Sequence, residues 1–158
     1  KTWRFKHPSP WDFMFAMNHE FQMDLGWFWY YWLFTTESSD GSIASVAAKG
    51  GKTLVTVRQA GEMPAPVVLK VEFAADGPAL KPMKGAVIDG NTATVTWPVD
   101  VWFSGSRTFV AELDFGKRTI EKITYDPNRR FPDRDPSDNT WPAAAAASAP
   151  AAAPTSPH

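Results

Sequence analysis

The first residues that could do chemistry are His19 and Glu20, which stand side by side in a stretch with helical periodicity. A zinc-binding helix of the protease type needs a second histidine four residues after the first, because that spacing places both ligands on one helical face. Position 23 is Met23, so the ligand pair is incomplete. We interpret His19 and Glu20 as part of the polar face of an amphipathic helix.

A second candidate is the segment 133–139, in which aspartate, serine and asparagine place several oxygen ligands close together. A calcium loop of the helix–loop–helix type needs glycine at its sixth position and glutamate at its twelfth. Those positions hold Asp138 and an alanine, which excludes that type of loop. Two interpretations stay open: a looser calcium site, and turns in which the carboxylates accept hydrogen bonds from nearby backbone N–H groups.

The densest aromatic segment is the run from Leu25 to Phe34. Such side chains can form a stacking platform for sugars or bases, but aromatic residues at helical spacing more often form a core or a domain interface. We therefore predict that they pack between domains. The residues expected to do so are Trp27, Phe28, Trp29, Tyr30, Tyr31, Trp32 and Phe34.

The sequence shows no catalytic constellation. His7 and His19 are the histidines that precede the C-terminal tail, and the chain has no cysteine. It contains no Ser/His/Asp triad and no glycine-rich phosphate loop, so we expect no catalytic residue, no metal ligand and no cofactor in this segment.

The composition limits the classes of partner that the chain could bind, but it does not indicate a cellular compartment. Sixteen basic and seventeen acidic residues nearly cancel, and both signs are spread along the chain. This argues against nucleic acid and against an anionic membrane surface, which usually select a basic stripe. The apolar run of residues 25–34 is about half of the ~20 residues that a membrane helix needs, so no transmembrane segment is expected.

Residues 1–36 are predicted to form two helices. Ser9 can cap the first helix, with Pro10 in its first turn and Asp12 completing a capping box. The second helix is predicted to begin at Asp24, whose carboxylate suits the positive end of the helix dipole.

The second helix is apolar all round. Two sets of residues at helical spacing lie on nearly opposite faces: Leu25, Phe28, Trp29, Trp32 and Leu33, and Trp27, Tyr30, Tyr31 and Phe34. A helix of this kind has to be buried on all sides. We therefore expect the chain to be part of a larger protein whose upstream domain covers the helix.

Residues 42–142 are predicted to form an antiparallel β-sandwich. Val67, Leu69, Val71 and Phe73 alternate with more polar positions, as in a half-buried strand. Similar runs recur at residues 92–97 and 109–115, and glycine-containing turns separate six or seven such strands at intervals of roughly 8–12 residues.

The predicted fold class is therefore mainly β: an antiparallel β-sandwich that follows two aromatic-rich α-helices and precedes a disordered Ala/Pro tail at residues 143–158. The tail is expected to be disordered because it lacks large apolar side chains and contains prolines. Trp102, Phe131 and Trp141 are expected to pin the surrounding loops to the sandwich.

Several motifs, taken in their order, resemble the end of the catalytic domain and the following sandwich of aminopeptidase N-like zinc metallopeptidases (gluzincins), bacterial branch. The resemblance covers about residues 3 to 142 and implies that residues 1–36 are the closing helices of an upstream, catalytic-type domain. Phe21-Gln22-Met23 departs from the family, which usually has a small residue and glycine there. The family's zinc motif, its downstream glutamate ligand, its amine-binding acidic loop and its transition-state tyrosine have no counterpart in these residues. The matching segments are His7-Pro8-Ser9-Pro10-Trp11-Asp12-Phe13, Asp24-Leu25-Gly26-Trp27-Phe28 with Trp32, Gln59-Ala60-Gly61-Glu62-Met63-Pro64 before Val67-Val68-Leu69, Pro98-Val99-Asp100-Val101-Trp102, Tyr125-Asp126-Pro127, Phe131-Pro132-Asp133 and Asn139-Thr140-Trp141.

The resemblance implies a periplasmic or secreted parent protein that hydrolyses peptide bonds. Its bound zinc would activate water and polarise the scissile carbonyl, with a glutamate as general base. The family's zinc ligands lie upstream, so no catalytic residue is carried over to this chain. The alternative is a self-contained β-sandwich module that binds polysaccharide or a protein partner; a purely structural domain is the third possibility.

Overall fold

The computed structural model describes residues 4–142, and within that range two helices precede two β-sheets. The helices are α1 (Pro10–Phe21) and α2 (Gly26–Phe34), with short 3-10 helices at Val99–Trp102 and Pro136–Asp138. The strands are β1 (Gly41–Lys49), β2 (Lys52–Gln59), β3 (Val67–Phe73), β4 (Ala86–Asp89), β5 (Thr92–Trp97), β6 (Thr108–Leu113), β7 (Ile120–Tyr125) and β8 (Thr140–Trp141).

Both sheets are antiparallel. One has the strand order β1-β2-β6 and the other the order β4-β5-β3-β7-β8. Their apolar faces share one core, so the prediction of a mainly β, sandwich-like fold preceded by two helices is confirmed. The predicted disordered tail at residues 143–158 lies outside the described residues.

The core follows from the two-residue period of the strands. Val67, Leu69, Val71 and Phe73 of β3 are all buried, whereas the residues between them are partly exposed. Strands β2 and β6 supply the facing layer through Val55, Val57, Ala111 and Leu113. Each of these residues points inward because successive side chains of a strand alternate between its two faces.

Glycine closes the β1–β2 hairpin. Lys49 pairs with Lys52, and the two residues between them are Gly50 and Gly51, with φ of +59° and +80°. Positive φ at both positions is the geometry of a tight turn that matches strand twist, and glycine adopts it without steric cost.

Arg118 ties together the loops at one end of the β-sandwich. Its guanidinium donates hydrogen bonds to the Ala74 oxygen at 2.6 and 2.9 Å, to the Ala75 oxygen at 2.8 Å and to Asn91 Oδ1 at 2.7 Å. A planar group with five donors can satisfy several acceptors at once, which a lysine cannot do.

The segment before β1 belongs to the sandwich through its backbone bonds. The Met63 N–H donates to the Ser38 oxygen at 3.3 Å, and the Ala60 N–H donates to the Asp40 oxygen at 2.7 Å. Gly61 allows this approach, because a Cβ there would clash with the Ser38 carbonyl oxygen. The sandwich's hydrogen bonds therefore begin at Ser38.

Helix α1 begins as predicted. The Ser9 hydroxyl accepts a hydrogen bond from the Asp12 N–H at 3.2 Å, and the Asp12 carboxylate accepts one from the Ser9 N–H at 2.8 Å. This is a complete capping box, with Pro10 in the first turn. The Ser9 hydroxyl also donates to the Asp12 carboxylate at 2.7 Å, and this bond, together with the one from the Ser9 N–H, holds the pKa of Asp12 below its usual value.

Helix α2 begins later than predicted. Its first residue is Gly26 and its N-cap is Leu25, so the prediction that Asp24 is the N-cap is wrong by one residue. Asp24 Oδ1 still accepts a hydrogen bond from the Gly26 N–H at 2.8 Å. The carboxylate therefore satisfies a helix-start donor from one position further out, where it also faces the positive end of the dipole.

Candidate functional site

The two helices form a hairpin held mainly by aromatic contacts. The Trp29 indole N–H donates to Asn18 Oδ1 at 2.9 Å, and the Phe13 ring meets the Trp29 ring edge-on at 5.7 Å between centroids. Trp11 stacks on Phe34 with centroids 6.2 Å apart. These contacts join α1 to α2, but they leave most of each helix uncovered.

The helices carry more than half of the large apolar side chains that are exposed in the described chain. Within α1 only Met14 is buried, and within α2 no residue is. The exposed fractions are 59% for Trp11, 67% for Phe15, 56% for Tyr30 and 59% for Phe34, and these four side chains line a groove of about 470 Å³. We call these four residues the aromatic surface. Exposed apolar side chains grouped around one groove are a feature that interaction surfaces often share.

The structure divides the residues of α2 differently from the two helical faces of the sequence pattern. Trp27 packs against the sandwich core and Tyr31 is half-buried, whereas Tyr30 and Phe34 of the same set are exposed. In the other set, Phe28 and Trp29 are half-buried, and Trp32 and Leu33 are exposed by 41% and 57%. Helix α2 thus touches the sandwich along one edge and α1 along another.

The three residues expected to pin loops to the sandwich lie in different surroundings. Trp102 is buried, and its indole N–H donates to the Ala65 oxygen at 2.8 Å. Trp141 is half-buried in β8 and packs against the core. Phe131 is half-buried, and its backbone N–H donates to Asp126 Oδ2 at 3.1 Å.

The acidic segment forms turns. Asp133 Oδ1 accepts a hydrogen bond from the Asp135 N–H, and Asp135 Oδ1 accepts one from the Ser137 N–H, each at 3.1 Å. Asp133 Oδ2 also accepts a hydrogen bond from the Asn139 side-chain amide at 2.7 Å. Partial burial raises the pKa of Asp138 because the carboxylate loses hydration, and the negative charges of the neighbouring aspartates raise it further. The turn interpretation therefore accounts for two of the three carboxylates.

The two histidines among the described residues belong to no group that could hold a metal ion. His7 and His19 are exposed, as is Glu20. Among residues 4–142, no three histidine, cysteine or acidic side chains lie close enough to hold a metal ion. In the same range, no helix is both long and apolar enough to cross a membrane.

The sequence pattern missed a cleft between α2 and one end of the sandwich. Its volume is about 290 Å³, and its lining includes Trp27 and Tyr31 from the helix, Gln59 from β2, and Glu62 and Arg107 from two loops. We call it the α2–sandwich cleft. No local motif could reveal it, because its residues come from three separate parts of the chain.

Gln59 is the unusual member of this cleft. It occupies an inward position of β2 after Val55 and Val57, where the strand pattern favours an apolar residue. Its side chain is 3% exposed, and its Oε1 atom has no hydrogen-bond partner among the described residues. Polar residues at core positions are the signal by which sequence reasoning could have found it.

No family model matches the chain, and neither does any curated protein or solved structure.

Proposed function

We propose that this chain is the C-terminal segment of a zinc metallopeptidase of the aminopeptidase N type. In that role it is non-catalytic: the helical hairpin forms the interface with the upstream domain, and the β-sandwich is structural. The observation that carries the proposal is the aromatic surface, because the sandwich core is already closed without it. Apolar side chains that no part of the described chain covers are usually covered by another domain or protein.

The positions of the resembling segments support the same proposal. The segment beginning at His7 leads into the capping box of α1, and the segment beginning at Asp24 starts α2. The remaining segments lie in the sandwich, among them the 3-10 helix that contains Trp102. The order of a helical interface followed by a sandwich is the order that the resemblance implies.

In this proposal the zinc ligands and the general base belong to the upstream domain, as the resemblance implies. Among residues 4–142, no three metal-ligating side chains lie close together. Peptide substrates would reach the parent protein there, and a periplasmic or secreted location follows from the resemblance alone.

The parent protein provides the test. We expect its upstream sequence to contain a His-Glu-x-x-His helix followed by a glutamate on a later helix. The purified parent should bind one zinc and hydrolyse aminoacyl p-nitroanilides, whereas the 158-residue chain should do neither. An upstream sequence without this motif, in a parent that binds no zinc, would contradict the proposal.

A separately expressed upstream domain tests the interface directly. We expect it to bind the 158-residue chain and to lose affinity when Phe34 is changed to Lys. Val110→Lys is the matched control, because Val110 is 51% exposed but lies on β6 of the sandwich. Equal effects of the two substitutions would argue against the helical interface.

A further inference from the structure

We propose that the α2–sandwich cleft binds a neutral sugar unit, such as the terminal hexose or N-acetylhexosamine of a glycan. This inference is independent of the peptidase proposal, because it concerns a different surface from the aromatic one. It rests on three properties of the cleft: its aromatic walls, an unpaired buried acceptor and a balanced pair of charges.

Aromatic rings line the cleft from two sides. Trp27 and Tyr31 are four residues apart and therefore lie on one face of α2. Phe103, which is 58% exposed, and the buried Trp102 line it from the loop after β5. Flat apolar rings are suitable surfaces for the C–H face of a sugar ring, which is also flat and apolar.

The unpaired acceptor is Gln59 Oε1. The Gln59 Nε2 group donates to the Met63 backbone oxygen. The amide cannot be turned over without placing two oxygens against each other, so Oε1 must be the atom left without a partner. A buried acceptor in this state costs about 1–3 kcal/mol. The atom has almost no accessible surface in this structure, so a ligand hydroxyl would pair with it only after the Gln59 side chain turns toward the cleft.

The charges of the cleft cancel. Its lining contains one cation, Arg107, and one anion, Glu62, and the two form an ion pair. Arg107 also donates to the Gly61 oxygen at 2.6 Å, so the guanidinium is held in place. Because the side chains remain about half exposed, at 51% and 57%, both can still accept or donate hydrogen bonds to a ligand.

These properties favour a sugar over an apolar peptide side chain. The cleft offers an acceptor on Glu62 and donors on Arg107, with the buried Gln59 acceptor beside them, and a hydroxyl group both donates and accepts. A leucine or phenylalanine side chain would cover these groups without pairing them, which carries a desolvation cost. The volume of about 290 Å³ is at the lower end of small-molecule pockets, which start at about 300 Å³, so it suits one ring rather than a long chain.

The test is a titration of the 158-residue chain followed by ¹H–¹⁵N NMR. The probes are methyl β-D-glucopyranoside, methyl β-D-galactopyranoside and N-acetyl-D-glucosamine, with N-acetyl-leucine amide as the peptide probe. We expect at least one sugar to shift the signals of the Gln59 side-chain amide and the Trp27 indole in a saturable way. If none of the sugars does so, or if the peptide probe alone does, the proposal is wrong.

Substitutions then separate the cleft from other sites. Gln59→Leu removes the acceptor at similar size and should weaken sugar binding at least tenfold. Phe103→Ala, at an exposed position, should weaken it about fivefold, and it tests the proposal even if Gln59→Leu fails to fold. Trp32→Ala, on α2 but outside the cleft, should leave affinity unchanged. Unchanged sugar affinity in a folded cleft variant would overturn the proposal.

Discussion

The aromatic surface makes a quantitative prediction about Phe34. Fully burying a phenylalanine side chain stabilises a fold by roughly 2–3 kcal/mol. Phe34 is 59% exposed, so about two-fifths of this burial energy, or about 1 kcal/mol, is present in the isolated chain. The lysine of Phe34→Lys would lie at the C-terminal end of α2, where a cation is favourable by about 0.3–1 kcal/mol. We therefore expect the isolated chain to lose 1 kcal/mol or less.

The same substitution should be much more costly in the parent. In the parent, the interface would cover the remaining three-fifths of the Phe34 ring. The substitution would then remove the whole burial energy of the ring and place an unpaired charge in an apolar contact. Together these should exceed about 4 kcal/mol, which is exceptional for one surface substitution. Urea denaturation followed by far-UV circular dichroism measures both values, with Val110→Lys as the control at below about 0.5 kcal/mol in each protein.

Two results would refute this reasoning. The first is a loss of about 1 kcal/mol or less in the parent as well, which would mean that no domain covers Phe34. The second is a loss above about 3 kcal/mol in the isolated chain, which would mean that the ring is already buried there. Binding of a hydrophobic dye gives an independent check, because the unmodified chain should bind it and the Phe34→Lys variant should bind less.

Three further predictions concern the sandwich and the first helix. Arg118→Met should lower the free energy of unfolding by about 2 kcal/mol, because four loop oxygens, including that of Pro78, lose a charged donor. Arg118→Lys should recover less than half of that in the same urea denaturation. Trp102→Phe should cost about 2–3 kcal/mol and lower the melting temperature, since it leaves the buried Ala65 oxygen unpaired and removes part of a buried ring. The contribution of the Asp12 carboxylate to the stability of helix α1 should be fully present above its unfolded pKa of about 3.9. It should be lost as the pH falls through the lowered pKa of the folded state. Helicity followed against pH should show this loss, and Asp12→Asn, with Ser9 intact, should flatten it.

The strands could be predicted because buried and exposed residues alternate along them with a period of two. Val67, Leu69 and Val71 face the same core that the alternation predicts, and the capping box at Ser9 and Asp12 follows from local hydrogen bonding. These features depend on residues that are neighbours in the sequence. Sequence alone is sufficient for features of that kind.

The packing of α2 could not be predicted in the same way. The sequence shows that both helical faces are apolar, but it does not contain the position of the sandwich relative to the helix. In the structure Trp27 meets the core, whereas Tyr30, three residues later and in the same set, is exposed. The α2–sandwich cleft was missed for the same reason, since Gln59 and Arg107 are distant in sequence and adjacent only through the β2–β6 pairing.

The hydrogen bonds that begin at Ser38 determine where the chain can be cut. Ser39 is buried, and its hydroxyl donates to the Pro132 oxygen at 3.0 Å, so a protein that begins after residue 39 would lose part of the sandwich. The preceding residues Thr36 and Glu37 are exposed. A protease that cleaves at this point would release the helical hairpin from an intact sandwich, so limited proteolysis should yield a stable fragment that begins close to Ser38.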